Sequence, residues 1–276
     1  GIVNRMEKIR RLGLLWHPGK QSAADLAQKT AAACRAAGIE PVAAEEEDAD
    51  MIAVLGGDGS ILRALRLTQG RIRPLLGVNM GHMGFLAECA PEAVEEAVKR
   101  LAAGEYRLEE RMLLRVECGG AEPVTALNDV AVSRGVCQSV LQAEVRVDGQ
   151  EAAQYAGDGL VIASPTGSTA YSLSAGGPVV TPNMECIVIS PVCPHTFSAR
   201  PMVVSGESAV EARLQPRSGE GTVMVCIDGA AGVMMDQAAV RVSRARERLP
   251  FVRFEEDRFF ASLRGKLSLW GGMGNT

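Results

Sequence analysis

The chain has no surplus of positive charge. Lys and Arg total 29 against 33 Asp and Glu, a formal net charge of −4. A nucleic-acid partner normally needs a basic surface, so that class is excluded, although a small basic pocket for phosphates is not. It also lacks any C-x-x-C pair. Its seven cysteines, Cys34, Cys89, Cys118, Cys137, Cys186, Cys193 and Cys226, are scattered and odd in number. That pattern points to reduced thiols in a cytoplasmic protein rather than a disulfide frame. No apolar run approaches the roughly 20 residues needed to cross a bilayer, so no membrane partner is expected. The opening Gly1-Ile-Val-Asn-Arg shows no signal-peptide pattern and no Met, which suggests a trimmed start. Internal repeats and low-complexity segments are missing too.

What is present is ordinary for a folded protein: 47% hydrophobic and 22% charged residues over 276 positions. That length favours two domains. The first third alternates short apolar runs (12–16, 41–44, 51–55, 74–78) with helical stretches at 21–37, 60–67 and 91–101, which predicts a parallel sheet flanked by helices. After Gly104 the helical period fades. Extended segments follow at 112–118, 124–132, 141–147, 160–163, 187–190, 203–204, 209–214, 222–227 and 240–242. Asp148-Gly149 has the composition of a two-residue hairpin turn. The expected fold is therefore an α/β N-terminal domain with a parallel sheet and an all-β C-terminal domain built as a two-layer sandwich. The tail from Asp257 to Leu269 reads as helical again.

Three segments carry chemistry. Gly56-Gly57-Asp58-Gly59-Ser60 joins an apolar strand to a helix. Glycines there let backbone amides approach a phosphate, and the helix N-terminus favours the same anion. Asp58 in such a turn can orient a hydroxyl or accept its proton; alternatively it caps the helix that follows. Asn128-Asp129 is a polar pair inside an extended segment. An amide and a carboxylate can hold a vicinal diol such as that of ribose, or the pair is a polar bulge. Residues 158–178 are dense in small hydroxyl residues and glycines, either a site for a flat ring or a Ser/Thr-rich surface loop. Cys186, Cys193 and His195 lack a second chelating pair and are not read as a metal site. His82 is read as a loop residue near the pocket.

In this order, with Asn79-Met80-Gly81-His82-Met83-Gly84-Phe85-Leu86, Pro194 to Pro201, Asp228-Gly229 and the Phe259-to-Leu267 tail, these segments resemble the NAD kinases over nearly the whole chain. The glycine turn alone is shared with lipid kinases and phosphofructokinases; the 158–178 block is specific to the NAD kinases. The resemblance implies ATP (or polyphosphate) and NAD as substrates, with a divalent metal, Mg²⁺, accompanying ATP. It implies that Asp58 is the catalytic carboxylate beside the ribose 2′-hydroxyl. Gly57 and Gly59 would lie against phosphates and Phe85 near the adenosine. Asn128 and Asp129 would bind NAD, with Thr166, Thr169, Ala170, Tyr171 and Ser174 lining its pocket and Asp158 near the nicotinamide end. It further implies domains over 1–110 and 111–250, the first completed by the C-terminal helix 251–276, and a homodimer or homotetramer. His17 stands where the family's first turn would carry asparagine. A lipid or sphingoid-base kinase, and a non-catalytic NAD(P)-binding sensor, are the alternatives.

Overall fold

The computed structural model describes residues 7–68, 71–81, 84–135, 140–196, 198–230, 232–254 and 259–270; the opening five residues, His82, Met83, Cys137, Phe197 and Asp257 lie outside the described residues. The chain divides into two compact units, Gly1–Glu110 with Leu249–Thr276, and Arg111–Arg248.

In the first unit, β1 (Arg11–Trp16) leads into α1 (Gln21–Ala36), then β2 (Glu40–Ala43), β3 (Met51–Leu55), α2 (Asp58–Leu67), β4 (Leu75–Val78) and α3 (Val94–Ala103). All residues of β3 and β4 are buried. Such unbroken apolar runs suit strands covered on both faces, and β1 pairs in parallel with β2 and β3, as does β3 with β4. The core joins Leu12, Leu14, Met51, Leu55, Leu76 and Val78 to Leu26 and Cys34 of α1 and to Val94, Val98 and Leu101 of α3. On α2, Ile61, Ala64 and Leu65 are buried, a helical spacing that seats the helix and so fixes the turn before it.

The second unit is antiparallel. Its strands are the later part of β5 (Arg107–Cys118), β6 (Val124–Ala126), β7 (Asp129–Arg134), β8 (Leu141–Val147), β9 (Gln150–Gly157) and β10 (Gly159–Ala163). After the short helix α4 (Tyr171–Ser174) come β11 (Cys186–Val192), β12 (Met202–Ser205), β13 (Val210–Pro216), β14 (Val223–Ile227), β15 (Val233–Met235) and most of β16 (Ala238–Arg253). One sheet runs β12-β11-β10-β7-β14-β15; in the other, β16, β13, β8 and β9 lie side by side. Alternating burial on β8 and β13 sends Ala143, Val145, Val210, Ala212 and Leu214 inward, against Leu160, Ile162, Ile187 and Ile189 of the facing sheet. Asp148 and Gly149 make the two-residue hairpin turn with positive φ at both (52° and 78°), and Val147 pairs with Gln150 across it.

Two expectations change. The segment 124–132 is not one strand: it breaks after Ala126 and resumes at Asp129, because a side chain described below takes the intervening amides. Residues 251–253, placed in the closing helix by the expected range 251–276, are not helical. They extend β16, whose Phe251 pairs in parallel with Leu75, both fully buried or nearly so. The helix, α5, is Phe259–Trp270.

Candidate active site

In the first unit the strand order β2-β1-β3-β4 reverses direction of growth between β1 and β3. Ligands of open parallel sheets sit beyond the carboxyl ends of the strands at such a point. The Gly56–Ser60 turn leaves the end of β3 there. Gly57, not Asp58, occupies the N-cap of α2, and no side chain caps the helix. The capping alternative for Asp58 is thereby excluded. Its carboxylate turns instead to the segment after β4: Oδ2 accepts the Phe85 amide at 3.0 Å and Oδ1 the Leu86 amide at 3.3 Å. Gly84 is what allows this. A Cβ there would collide with Oδ1 and lie 2.5 Å from Asp58 Cγ. Lys266 of α5 places Nζ 3.6 Å from Oδ2 and 4.2 Å from the Phe85 ring centroid. Gly57 and Gly59 are exposed, with open space where side chains would be.

The 84–89 segment is itself braced. Glu88 N–H donates to Gly77 O at 2.8 Å, and Asn79 N–H to Cys89 O at 2.9 Å. Arg253, at the end of β16, is 8% exposed. Its guanidinium pairs with Glu88 and Glu109, each at 3.4 Å, and donates to Leu86 O at 3.3 Å. Leu86 therefore bonds Arg253 through its carbonyl and Asp58 through its amide.

In the second unit, Asp228 sits at positive φ (50°) just past β14, and its carboxylate accepts the amides of Leu127, Asn128 and Asp129 at 2.8, 2.7 and 3.1 Å. Three amides aimed at one carboxylate end β6 and start β7. Asn128 is left half-buried and Asp129 buried. Burial, reinforced by the Asp228 charge, pushes the Asp129 carboxyl up to about 7. The hydroxyl-rich loop lies against the same turn: Ser164 N–H donates to Asn128 O at 2.8 Å, and Ser164 Oγ bonds Leu127 O. Gly167 fits because any Cβ would strike the Asn128 carbonyl.

Within that loop the expected pocket residues separate into two kinds. Thr166 and Thr169 are buried, Thr166 Oγ1 accepting from Arg111 at 3.4 Å and Thr169 donating to Thr166 O at 3.2 Å. Tyr171 and Ser174 are exposed, and Ala170 lies between these extremes. Asp158 pairs with Arg134 at 3.2 Å. Although the side chain is exposed, partial desolvation raises the Tyr171 phenol above its ordinary value, and the charges of Cys193, Asp129, Asp158 and Cys226 add to the effect. That ordering puts Asp129, Asp158 and Tyr171 in one electrostatic neighbourhood. Sequence reasoning gave no site role to Arg111, Arg253 or Lys266, the last lying in the tail read as helical. Among the described residues, no group of three or more His, Cys, Asp or Glu is arranged to hold a metal.

A carboxylate kept available beside a helix N-terminus is equipment for moving a phosphoryl group, and on this pair of units it marks a kinase. Family models described as the ATP-NAD kinase N-terminal and C-terminal domains match residues 20–106 and 127–254. An NAD kinase of Moorella thermoacetica is 42% identical over 234 residues, 83% of this chain and 75% of that protein. The crystal structure of an NAD kinase from Archaeoglobus fulgidus in complex with ATP is 30% identical, with a TM-score of 0.78 over 94% of this chain and 98% of that one. Yeast NADH kinase, solved with NADH, shares the fold at 19% identity, with a TM-score of 0.85 over 98% of this chain and 89% of that one. The chain belongs to the NAD kinase family.

Proposed function

We propose that the chain transfers the γ-phosphate of ATP to the 2′-hydroxyl of the adenosine ribose of NAD, giving NADP and ADP. The observation that carries this reading is the Asp58 carboxylate, which caps nothing and is held by two amides beside an open glycine turn. In the proposed reaction the ribose 2′-oxygen attacks the γ-phosphorus as the bond to the β-bridging oxygen breaks. Asp58 aligns the hydroxyl and takes its proton. Phosphoryl transfer passes through a loose transition state, so alignment and charge matter more than base strength.

Gly57 and Gly59 leave room for the phosphates, and Phe85 offers a ring face for the adenosine. Asn128 and Asp129 hold the NAD ribose or its adenine, with Thr166, Thr169, Ala170, Tyr171 and Ser174 forming the dinucleotide pocket and Asp158 its nicotinamide end. The Archaeoglobus relative's ATP complex supports ATP as donor. The side-chain oxygens at the turn include one carboxylate, that of Asp58, which already accepts the Phe85 and Leu86 amides. That set suits a Mg²⁺ carried in on the triphosphate, since this ion keeps phosphate and water ligands. Family membership supports a homodimer or homotetramer, which light scattering tests.

The decisive experiment incubates the protein with ATP, Mg²⁺ and NAD and assays NADP. Formation of NADP at a rate proportional to protein supports the reading. NAD binding without turnover would make the chain a sensor, and phosphorylation of a sphingoid base in place of NAD would make it a lipid kinase.

A further inference from the structure

Helix α5 begins at Phe259, and Lys266 follows seven residues later, two turns along the same face. Phe259 is 9% exposed and packs its ring 6.0 Å from that of Phe85. Seating that phenylalanine carries Lys266 to Asp58. The ammonium then meets the same oxygen, Oδ2, that the Phe85 amide holds, while lying over the Phe85 ring. Both partners of the ion pair remain about a quarter exposed, 26% for Lys266 and 28% for Asp58. A pair so wetted contributes little to folding. Its weight falls on the charge and direction of the carboxylate.

We propose that Lys266 is a positioning residue for phosphoryl transfer, making the C-terminal helix part of the transfer site. The inference rests on the reading of Asp58 given above. Two amides fix the plane of the carboxylate, and the Lys266 ammonium holds Oδ2 from a third direction, pairing with the oxygen that already accepts the Phe85 amide. The same ammonium clamps the Phe85 ring, so one side chain from α5 ties together the carboxylate and the aromatic beside it.

The test compares NADP formation, at saturating NAD and ATP with Mg²⁺, by wild type, Lys266→Met, Lys266→Arg, Asp58→Asn and the Asp58→Asn/Lys266→Met double variant. Lys266→Met should lower kcat roughly 10- to 100-fold, the size of losing one charged partner, with KM for NAD within about twofold. Lys266→Arg should recover most of the loss. In the Asp58→Asn background, Lys266→Met should cost little more, because both changes act through one group. Should Met melt the helix, Lys266→Gln makes the same comparison with a polar head. Wild-type kcat in Lys266→Met, or a full additional loss in the double variant, overturns the proposal. Wild-type turnover in Asp58→Asn would instead overturn the reading of Asp58 itself.

Discussion

The carboxylate of Asp228 accepts the backbone amide of Asn128 at 2.7 Å and takes the amides on either side as well. One side chain thus shapes the turn that presents the Asn128-Asp129 pair. Asp228→Ala would leave up to three donors near the protein interior without their acceptor. Each such loss costs roughly 1–3 kcal/mol when the donor stays dry, so a total loss of at least ~2 kcal/mol is expected. Denaturant unfolding measures it, and KM for NAD should rise in the same variant. Unchanged stability and KM would remove Asp228 from this role.

Asp129 makes stability depend on pH. Its carboxyl ionises at an ordinary 3.8 when unfolded and near 7 when folded. Between those values the unfolded chain binds fewer protons, so this group's contribution falls as pH rises and is fully lost above pH 7. Asp129→Asn removes the penalty. Relative to wild type, the variant should gain roughly 2–4 kcal/mol between pH 4 and pH 8 in denaturant titrations. A constant difference across that window would show that Asp129 does not titrate there.

Gly84→Ala tests the geometry around Asp58 without touching it. The new methyl group collides with the Asp58 carboxylate, which must give up the Phe85 and Leu86 amides to make room. Stability should therefore fall by roughly 1–3 kcal/mol, while kcat falls roughly 10²-fold because the carboxylate leaves its line. Asp58→Asn should lower kcat by ~10²–10⁴ with NAD affinity little changed. If Gly84→Ala keeps wild-type turnover, the orientation of Asp58 is unimportant.

Arg253 predicts a larger structural loss. It and Glu88 are each 9% exposed at the side chain. Arg253→Met leaves Glu88 buried beside the Phe254 amide but without its cation. Breaking such a pair costs about 3–5 kcal/mol, and Glu88→Gln in the same chain should restore part of it. Thermal melting checks both. A variant melting like wild type would mean that water already compensates the charges.

The parts legible in the sequence are those written locally. Unbroken apolar runs such as 51–55 gave the covered parallel strands, the loss of helical period after Gly104 gave the extended segments of β8 and β13, and Asp148-Gly149 gave its hairpin. The glycine turn was visible because a turn and its helix are neighbours in the chain. What stayed hidden depends on residues far apart in sequence. Nothing near position 124 shows that Asp228 will break the strand, and nothing near Asp58 points to Lys266. The strand character of Phe251 depends on its partner Leu75, which no local pattern reveals. For Thr166 and Thr169 the hydroxyls were recognised, but their inward direction comes from the loop's own hydrogen bonds.

Because Leu75 finds its sheet neighbour in Phe251, the order of synthesis matters. The whole of Arg111–Arg248 leaves the ribosome before the parallel sheet can gain that strand. A nascent chain paused ahead of Leu249 carries Asp58 but neither Arg253 nor Lys266, with the Leu75 end of the β4 edge still bare. Such an edge invites mispairing with other chains. Translation therefore delivers the carboxylate early and its supports late, which delays activity until the tail has emerged.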